Sequence, residues 1–297
     1  MSHTWDGLLP IDKPAGPTSH DIVAWVRDAT GARRVGHTGT LDPPATGLLL
    51  LVLGRATRLA RFVPDAPKTY RGILALGVTT ATDDLAGEVI ARHDGVLPDL
   101  PAVRSEAARR VGPQLQTPPA FSARSVGGTR LYRAARRGVV LDAPATPILV
   151  ERLDLAPTET GDRFAYEMVV SSGTYVRAIV RDLGAALGCG AAVASLRRTG
   201  IGPLRLDETL PFPPVGADCR EFVRHHLIPI DTMPLSLPSL TLETAADAVR
   251  FSGGAAVSLV WAGATQDGLL AIRDADGRLL GVGAYADGTL KPRVVVP

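Results

Sequence analysis

The spacing of apolar positions changes period several times along the chain, and each change marks an element. Leu8-Leu9-Pro10-Ile11-Asp12-Lys13-Pro14 reads as a short strand that ends in a turn. Thr18-Ser19-His20-Asp21 resembles a capping box, and the helix it opens carries Ile22, Val23 and Val26 on one face before Thr30-Gly31 ends it. Leu48-Leu49-Leu50-Leu51-Val52-Leu53 is an unbroken apolar run between Gly47 and Gly54, the pattern of a fully buried strand. Residues 55–62 predict a short helix, 68–76 a strand, and 88–91 a return strand after a polar turn at 79–87. A loop at 97–101 leads into a helix at 103–111. Strands at 148–155 and 164–171 flank a turn at Gly161. Residues 174–187 form the clearest helix, with Val176, Ile179, Val180, Leu183 and Leu187 as its apolar stripe and Gly188 closing it. Residues 194–198 read as a further strand or its end.

After Pro211-Phe212-Pro213-Pro214, a stiff linker signal, the texture changes to short alternating segments and Gly-rich turns. Residues 269–273 and 279–285 straddle Asp276-Gly277 as a hairpin. The expected fold is therefore α+β: a mixed, mostly antiparallel central sheet with flanking helices in residues 1–233, and a small β-barrel-like domain in 234–297. The competing fold is a P-loop-like α/β protein. Residues 31–38 fit the phosphate-loop pattern at every fixed position except the lysine, which is His37. That loop should follow a strand and open a helix, yet here a helix precedes it and a strand follows, so nucleotide binding is rejected.

Composition narrows the class. The 297 residues are 45% hydrophobic, ample for a core. The longest aliphatic run is six residues, far below the roughly 20 that span a bilayer. Met1-Ser2-His3-Thr4-Trp5-Asp6 has neither a basic segment nor an apolar signal core, so a soluble, cytoplasmic protein is expected. Cys189 and Cys219 make no metal spacing, and the histidines show no H-x-x-x-H pattern, so no metal is expected.

Net charge is only +2, but its distribution is uneven. Lysine occurs only at Lys13, Lys68 and Lys291; the other basic residues are arginines, which bind phosphate bidentately and stack on bases. Compositional bias explains the number of arginines but not their clustering. Arg55, Arg58 and Arg61 fall on one side of a short helix, as a solvated face or a phosphate-facing row. Residues 118–145 hold Arg124, Arg130, Arg133, Arg136 and Arg137 against the single acid Asp142, interleaved with Phe121 and Tyr132 and a flexible Gly127-Gly128. A plain solvated helix is the bland alternative. The charge imbalance and the aromatics favour nucleic-acid contact that grips rather than specifies.

The most unusual stretch is Gly36-His37-Thr38-Gly39-Thr40-Leu41-Asp42-Pro43-Pro44-Ala45-Thr46-Gly47. Gly and Pro at this density shape a loop around one carboxylate, and Pro43 biases Asp42 towards extended backbone. Asp42 is either an acid fixed at the floor of a cleft or an Asx-type turn residue.

That stretch, together with Asp12-Lys13-Pro14, Lys68-Thr69-Tyr70-Arg71 and Ser172-Gly173-Thr174-Tyr175-Val176-Arg177, resembles the signature stretches of the bacterial TruB-type tRNA pseudouridine synthases. The resemblance runs in order along nearly the whole chain. Residues 118–137 are similar to that family's RNA-gripping thumb, and the tail is similar to its C-terminal PUA domain. The resemblance implies isomerisation of uridine 55 in the TΨC arm of tRNA, without a cofactor, by a monomer that needs no obligate protein partner. It makes Asp42 the catalytic aspartate. The target base would be flipped out, with His37 stacked in the vacated space, Tyr70 against the uracil and Arg177 paired with Asp42. Tyr175 and Leu196 would complete the pocket wall, and Lys13-Pro14 would support the loop from beneath. From the residues alone, Tyr70, Tyr175 and Leu196 read equally as core and Arg177 as a surface helix charge. Pro44, Ala81 and Ser125 depart from the family pattern, and none touches the implied chemistry. Two rivals stand beside this reading: a non-catalytic tRNA-binding chaperone, and a guide-dependent relative working inside a ribonucleoprotein, which usually carries basic extensions.

Overall fold

The computed structural model describes residues 5–63, 66–139, 141–206, 219–260 and 268–296. Contacts divide the chain into two compact units. One comprises Met1–Pro43, Leu49–Asp65 and Asp207–Pro297; the other comprises Pro44–Leu48 and Ala66–Leu206.

The first unit begins with β1 (Gly7–Lys13), whose Leu8, Leu9 and Ile11 are fully buried. Helix α1 (Ser19–Thr30) is opened by the capping box read in the sequence: Thr18 Oγ1 accepts from the Asp21 amide at 3.1 Å, and Asp21 accepts from the Thr18 amide at 2.8 Å. Strand β2 (Val35–His37) is new. It pairs antiparallel with β3 (Thr46–Leu53), setting His37 opposite Leu51. Only three residues long, β2 carries no pattern of its own. Strand β3 is buried from Gly47 onward, as its apolar run predicts. A 3₁₀ helix (Gly54–Phe62) follows where the sequence suggested a short helix.

The second unit contains β4 (Lys68–Leu76), β5 (Val78–Thr80), β6 (Val89–Arg92), α2 (Leu100–Arg109) and β7 (Gly112–Gln116). It continues with β8 (Ser125–Val126), β9 (Thr129–Arg130), α3 (Leu131–Ala135), β10 (Thr146–Pro157) and β11 (Arg163–Val170). Helix α4 (Val176–Ala186), β12 (Ala191–Ile201) and β13 (Leu204–Arg205) complete it. Its sheet runs β12-β4-β11-β10-β7, antiparallel throughout, and the first residues of β3 pair parallel with β12 at Thr46 and Gly47. The sequence suggested a ribbon of strand 68–76 with the return strand; instead β6 pairs with the short β5, which overlaps the stretch read as a polar turn, and β4 pairs with β11 and β12. Residues Val176, Ile179, Val180 and Leu183 of α4 are buried, as their stripe requires.

The first unit resumes with α5 (Cys219–His226) and β14 (Ile228–Pro229), the latter pairing antiparallel with β1. The Pro211–Pro214 linker signal lies outside the described residues. The tail comprises β15 (Ser239–Leu242), α6 (Ala245–Ser252), β16 (Val257–Ser258), β17 (Gly268–Asp274), β18 (Leu279–Ala286) and β19 (Thr289–Val295). Its sheet runs β15-β17-β18-β19-β16 around Leu240, Leu242, Phe251, Val257, Leu270, Ile272 and Leu290. The β17–β18 hairpin forms at the predicted place, with Asp274 Oδ1 accepting from the amides of Asp276 and Arg278. The observed class is the mixed, mostly antiparallel α+β arrangement expected. Among the described residues no helix is long and apolar enough to cross a membrane.

Candidate active site

The residues singled out in the sequence fall in both units. Lys13, His37, Asp42, Arg55 and Arg58 belong to the first; Tyr70, the thumb arginines, Tyr175, Arg177 and Leu196 belong to the second.

In the first unit, Asp42 is half-buried on the loop between β2 and β3, and its chain neighbours are fastened on both sides. Ser19 Oγ, at the start of α1, accepts from the Leu41 amide at 2.9 Å and donates to the Leu41 carbonyl at 3.1 Å. On the far side, the Pro43 carbonyl accepts from the Gly16 amide at 2.9 Å and from Lys13 Nζ at 3.2 Å. Lys13 also donates to the Pro14 carbonyl at 2.8 Å and has no solvent exposure. Burial pulls its pKa down to about 8, with the negative charges of Asp42 and Asp21 acting the other way. Lys13 is thus hydrogen-bonded to the residue that follows Asp42. His37, at the end of β2, meets His20 edge-on, with ring centroids 5.3 Å apart and planes at 84°.

In the second unit, Tyr70 is buried on β4, opposite Met168 of β11 and Arg198 of β12. Two residues on, Gly72 lies opposite Tyr166 and Leu196. A Cβ at Gly72 would collide with the Tyr166 hydroxyl and the Ser195 carbonyl, so glycine there lets Tyr166 donate to that carbonyl at 2.9 Å. Burial, reinforced by Tyr70, drives the Tyr166 phenol far above the ordinary tyrosine range, so it stays protonated. Leu196 is half-buried on β12. Tyr175 precedes α4 and is held by Gln116, which donates to its carbonyl and accepts from its amide.

Arg177 is no surface charge: it is 5% exposed, in the first turn of α4. Its guanidinium donates to the carbonyls of Thr82 and Phe121 and stands 3.8 Å from Asp84 Oδ2. Asp84 is fixed in turn by Thr82 Oγ1 at 2.7 Å and by the Ala86 amide at 3.1 Å. Its neighbour Asp83 adopts φ 61° and pairs with Arg181 at 3.2 Å. Burial raises the Asp83 carboxyl, against the pull of Arg181 and Arg177. Sequence reasoning missed both acids because it read residues 79–87 as a polar turn. Two adjacent carboxylates among threonines were the only local signal.

The arginines divide by what they touch. Arg55 pairs with Asp6 at 2.8 Å, Arg58 donates to the Val295 carbonyl at 2.9 Å, and Arg61 lies over the Phe62 ring. Arg124 donates to Thr146 Oγ1 at 2.9 Å, and Arg130 to the Ala123 carbonyl. Arg133 and Arg136 flank the Tyr132 ring at 5.9 and 5.6 Å from its centroid. Arg130, Arg133, Arg136 and Arg137 are exposed, while Gly127-Gly128 make the β8–β9 turn.

Comparison with known proteins gives the architecture its class. Residues 27–176 match the TruB family pseudouridylate synthase N-terminal domain, 177–233 the tRNA pseudouridylate synthase B C-terminal domain, and 238–296 the C-terminal domain of pseudouridine synthase II TruB. A tRNA pseudouridine synthase B of Burkholderia mallei is 38% identical over 98% of this chain and 97% of its own length. One of Cereibacter sphaeroides is 41% identical over 96% and 94%. Among solved structures, a chain of a Cbf5-Nop10-Gar1 complex is 25% identical and superposes with a TM-score of 0.72 over 99% of this chain and 85% of its own. The fold is that of a pseudouridine synthase, an enzyme that isomerises uridine within RNA, and the five-stranded tail accords with a PUA-like domain. Within that class, the chain belongs to the TruB family.

Proposed function

We propose that the protein converts uridine 55 in the TΨC arm of tRNA to pseudouridine, with Asp42 as the catalytic carboxylate. The reaction breaks the bond between ribose C1′ and uracil N1 and forms one from C1′ to C5. C5 loses a proton and N1 gains one, so no redox equivalent or transferred group is needed. A carboxylate can serve as nucleophile or as base in this sequence. The observation that carries the reading is the loop itself: a half-buried Asp42 whose preceding and following residues are each hydrogen-bonded to the β1–α1 segment.

The target base lies stacked in its RNA loop and must be extruded. In this reading His37 takes the place of the flipped base in the RNA loop, and Tyr70, Tyr175 and Leu196 bind the uracil. Arg177 supplies positive charge, and Lys13 supports the Asp42 loop. The exposed thumb arginines Arg130, Arg133, Arg136 and Arg137 contact the RNA backbone; Arg55, Arg58 and Arg124, each held by a partner within the protein, contribute little to that grip. The enzyme acts in the cytoplasm as a monomer, without an obligate protein partner. Residues 1–233 form its catalytic domain, with the thumb at 118–145, and residues 234–297 form its RNA-binding tail.

Purified wild type and Asp42→Asn should both bind a bare TΨC stem-loop, but only wild type should form pseudouridine. Full turnover by the variant would end the Asp42 assignment. A wild type that is inert on the bare arm would point instead to a partner- or guide-dependent enzyme.

A further inference from the structure

The Ser19 hydroxyl is used twice on one residue. It is 1% exposed, and it holds both the amide and the carbonyl of Leu41, across 22 residues of sequence. The consequence lies one residue further on. The Leu41 carbonyl belongs to the peptide plane that enters Asp42, so anchoring it fixes the plane about which the Asp42 φ is measured. The plane leaving Asp42 ends at Pro43, whose ring locks its own φ and whose carbonyl is anchored by Gly16 and Lys13. With the plane entering Asp42 anchored directly and the residue after it held through its own carbonyl, the direction of the Asp42 Cα–Cβ bond is constrained by α1 and by the β1–α1 segment.

We propose that Ser19 is a positioning residue for Asp42: its hydroxyl aims the carboxylate, and its loss slows the chemical step while leaving RNA binding unchanged. The inference rests on Asp42 being the catalytic group. Small misplacements of a reacting group are expensive, because about 1 Å of displacement costs on the order of a hundredfold in rate. Ser19→Ala removes both bonds and leaves a buried Leu41 amide without its acceptor, so the loop should settle into other arrangements.

The test uses the full chain and a TΨC stem-loop tritiated at uridine C5. Single-turnover tritium release reports chemistry, and filter retention reports binding. Ser19→Ala should lose at least tenfold in the single-turnover rate, with a dissociation constant within twofold of wild type. A purely structural role would lower thermal stability without splitting rate from affinity at temperatures well below unfolding. Asp42→Asn is run alongside: an active Asp42→Asn overturns the Asp42 assignment, whereas an inactive one beside a Ser19→Ala of wild-type rate overturns only the positioning role. Hydrogen exchange in the wild type supplies an independent arm that does not depend on how the variant folds. The Leu41 amide should exchange far more slowly than amides of exposed loops, and rapid exchange there overturns the proposal.

Discussion

Lys13 has no solvent exposure yet carries an ammonium that donates to the carbonyls of Pro14 and Pro43 and feels the negative charge of Asp42. Its folded pKa of about 8 lies below the unfolded value of 10.5. Between those two pH values the unfolded chain keeps a proton that the folded chain has released, so stability rises with pH across that window. Below about pH 8 both states are protonated and the burial penalty is present in full. Urea unfolding of wild type and Lys13→Met at half-unit steps from pH 7 to 10 should show the stability difference moving in favour of wild type as pH rises above 8. Parallel curves would mean that burial does not depress this amine. The lysine itself was legible in the sequence through the Asp12-Lys13-Pro14 stretch that resembles the family. The surroundings of Arg177 were not: its partners Thr82 and Phe121 lie 95 and 56 residues away, and only the fold gathers them.

At the scale of elements, the parallel pairing of β3 with β12 turns on Gly47, which adopts φ 105° with its missing side chain facing the Arg198 backbone. Gly16 has the same φ of 105°, but no atom lies within 4 Å of where its Cβ would be. The pair separates two effects. Gly16→Ala should cost about 1–3 kcal/mol from backbone strain alone. Gly47→Ala adds a collision with main-chain atoms and should cost at least twice as much, or fail to fold, when denaturant midpoints are compared. Equal losses would show that β12 yields to the methyl group. Elements with a long apolar period were legible: α1 through its capping box and one-sided face, α4 through its stripe, β3 through its unbroken run. Strands β2 and β7 were not, because three and five residues carry no period and their identity comes from pairing with β3 and β10. The segment after β3 shows a subtler case. Arg55, Arg58 and Arg61 recur every third residue, which suits the 3.0-residue turn of the 3₁₀ helix found there better than an α-helix.

For the whole molecule, a net charge of +2 gives little long-range attraction for a polyanion, so the grip must be local. The structure sorts the local candidates by availability. Arg124 is spent on Thr146 and Arg58 on Val295, whereas Arg133 and Arg136 stand exposed over the Tyr132 ring and Arg137 follows them in the open. The sequence showed the cluster but not this division, since exposure depends on which carbonyls and hydroxyls the fold brings near. Each phosphate contact lowers the salt slope of log K by about 0.7–0.9. Replacing Arg133, Arg136 and Arg137 by Gln should therefore flatten the slope for tRNA binding by roughly two units if all three bind phosphate. Affinity should fall at physiological salt, and the single-turnover rate at saturating RNA should stay within a few-fold, the outcome expected of side chains that contact only the RNA backbone. Arg124→Gln should do the reverse, lowering thermal stability through the lost Thr146 contact while leaving the slope nearly unchanged. A triple variant with the wild-type slope would move the electrostatic contact off the thumb and onto another face of the molecule.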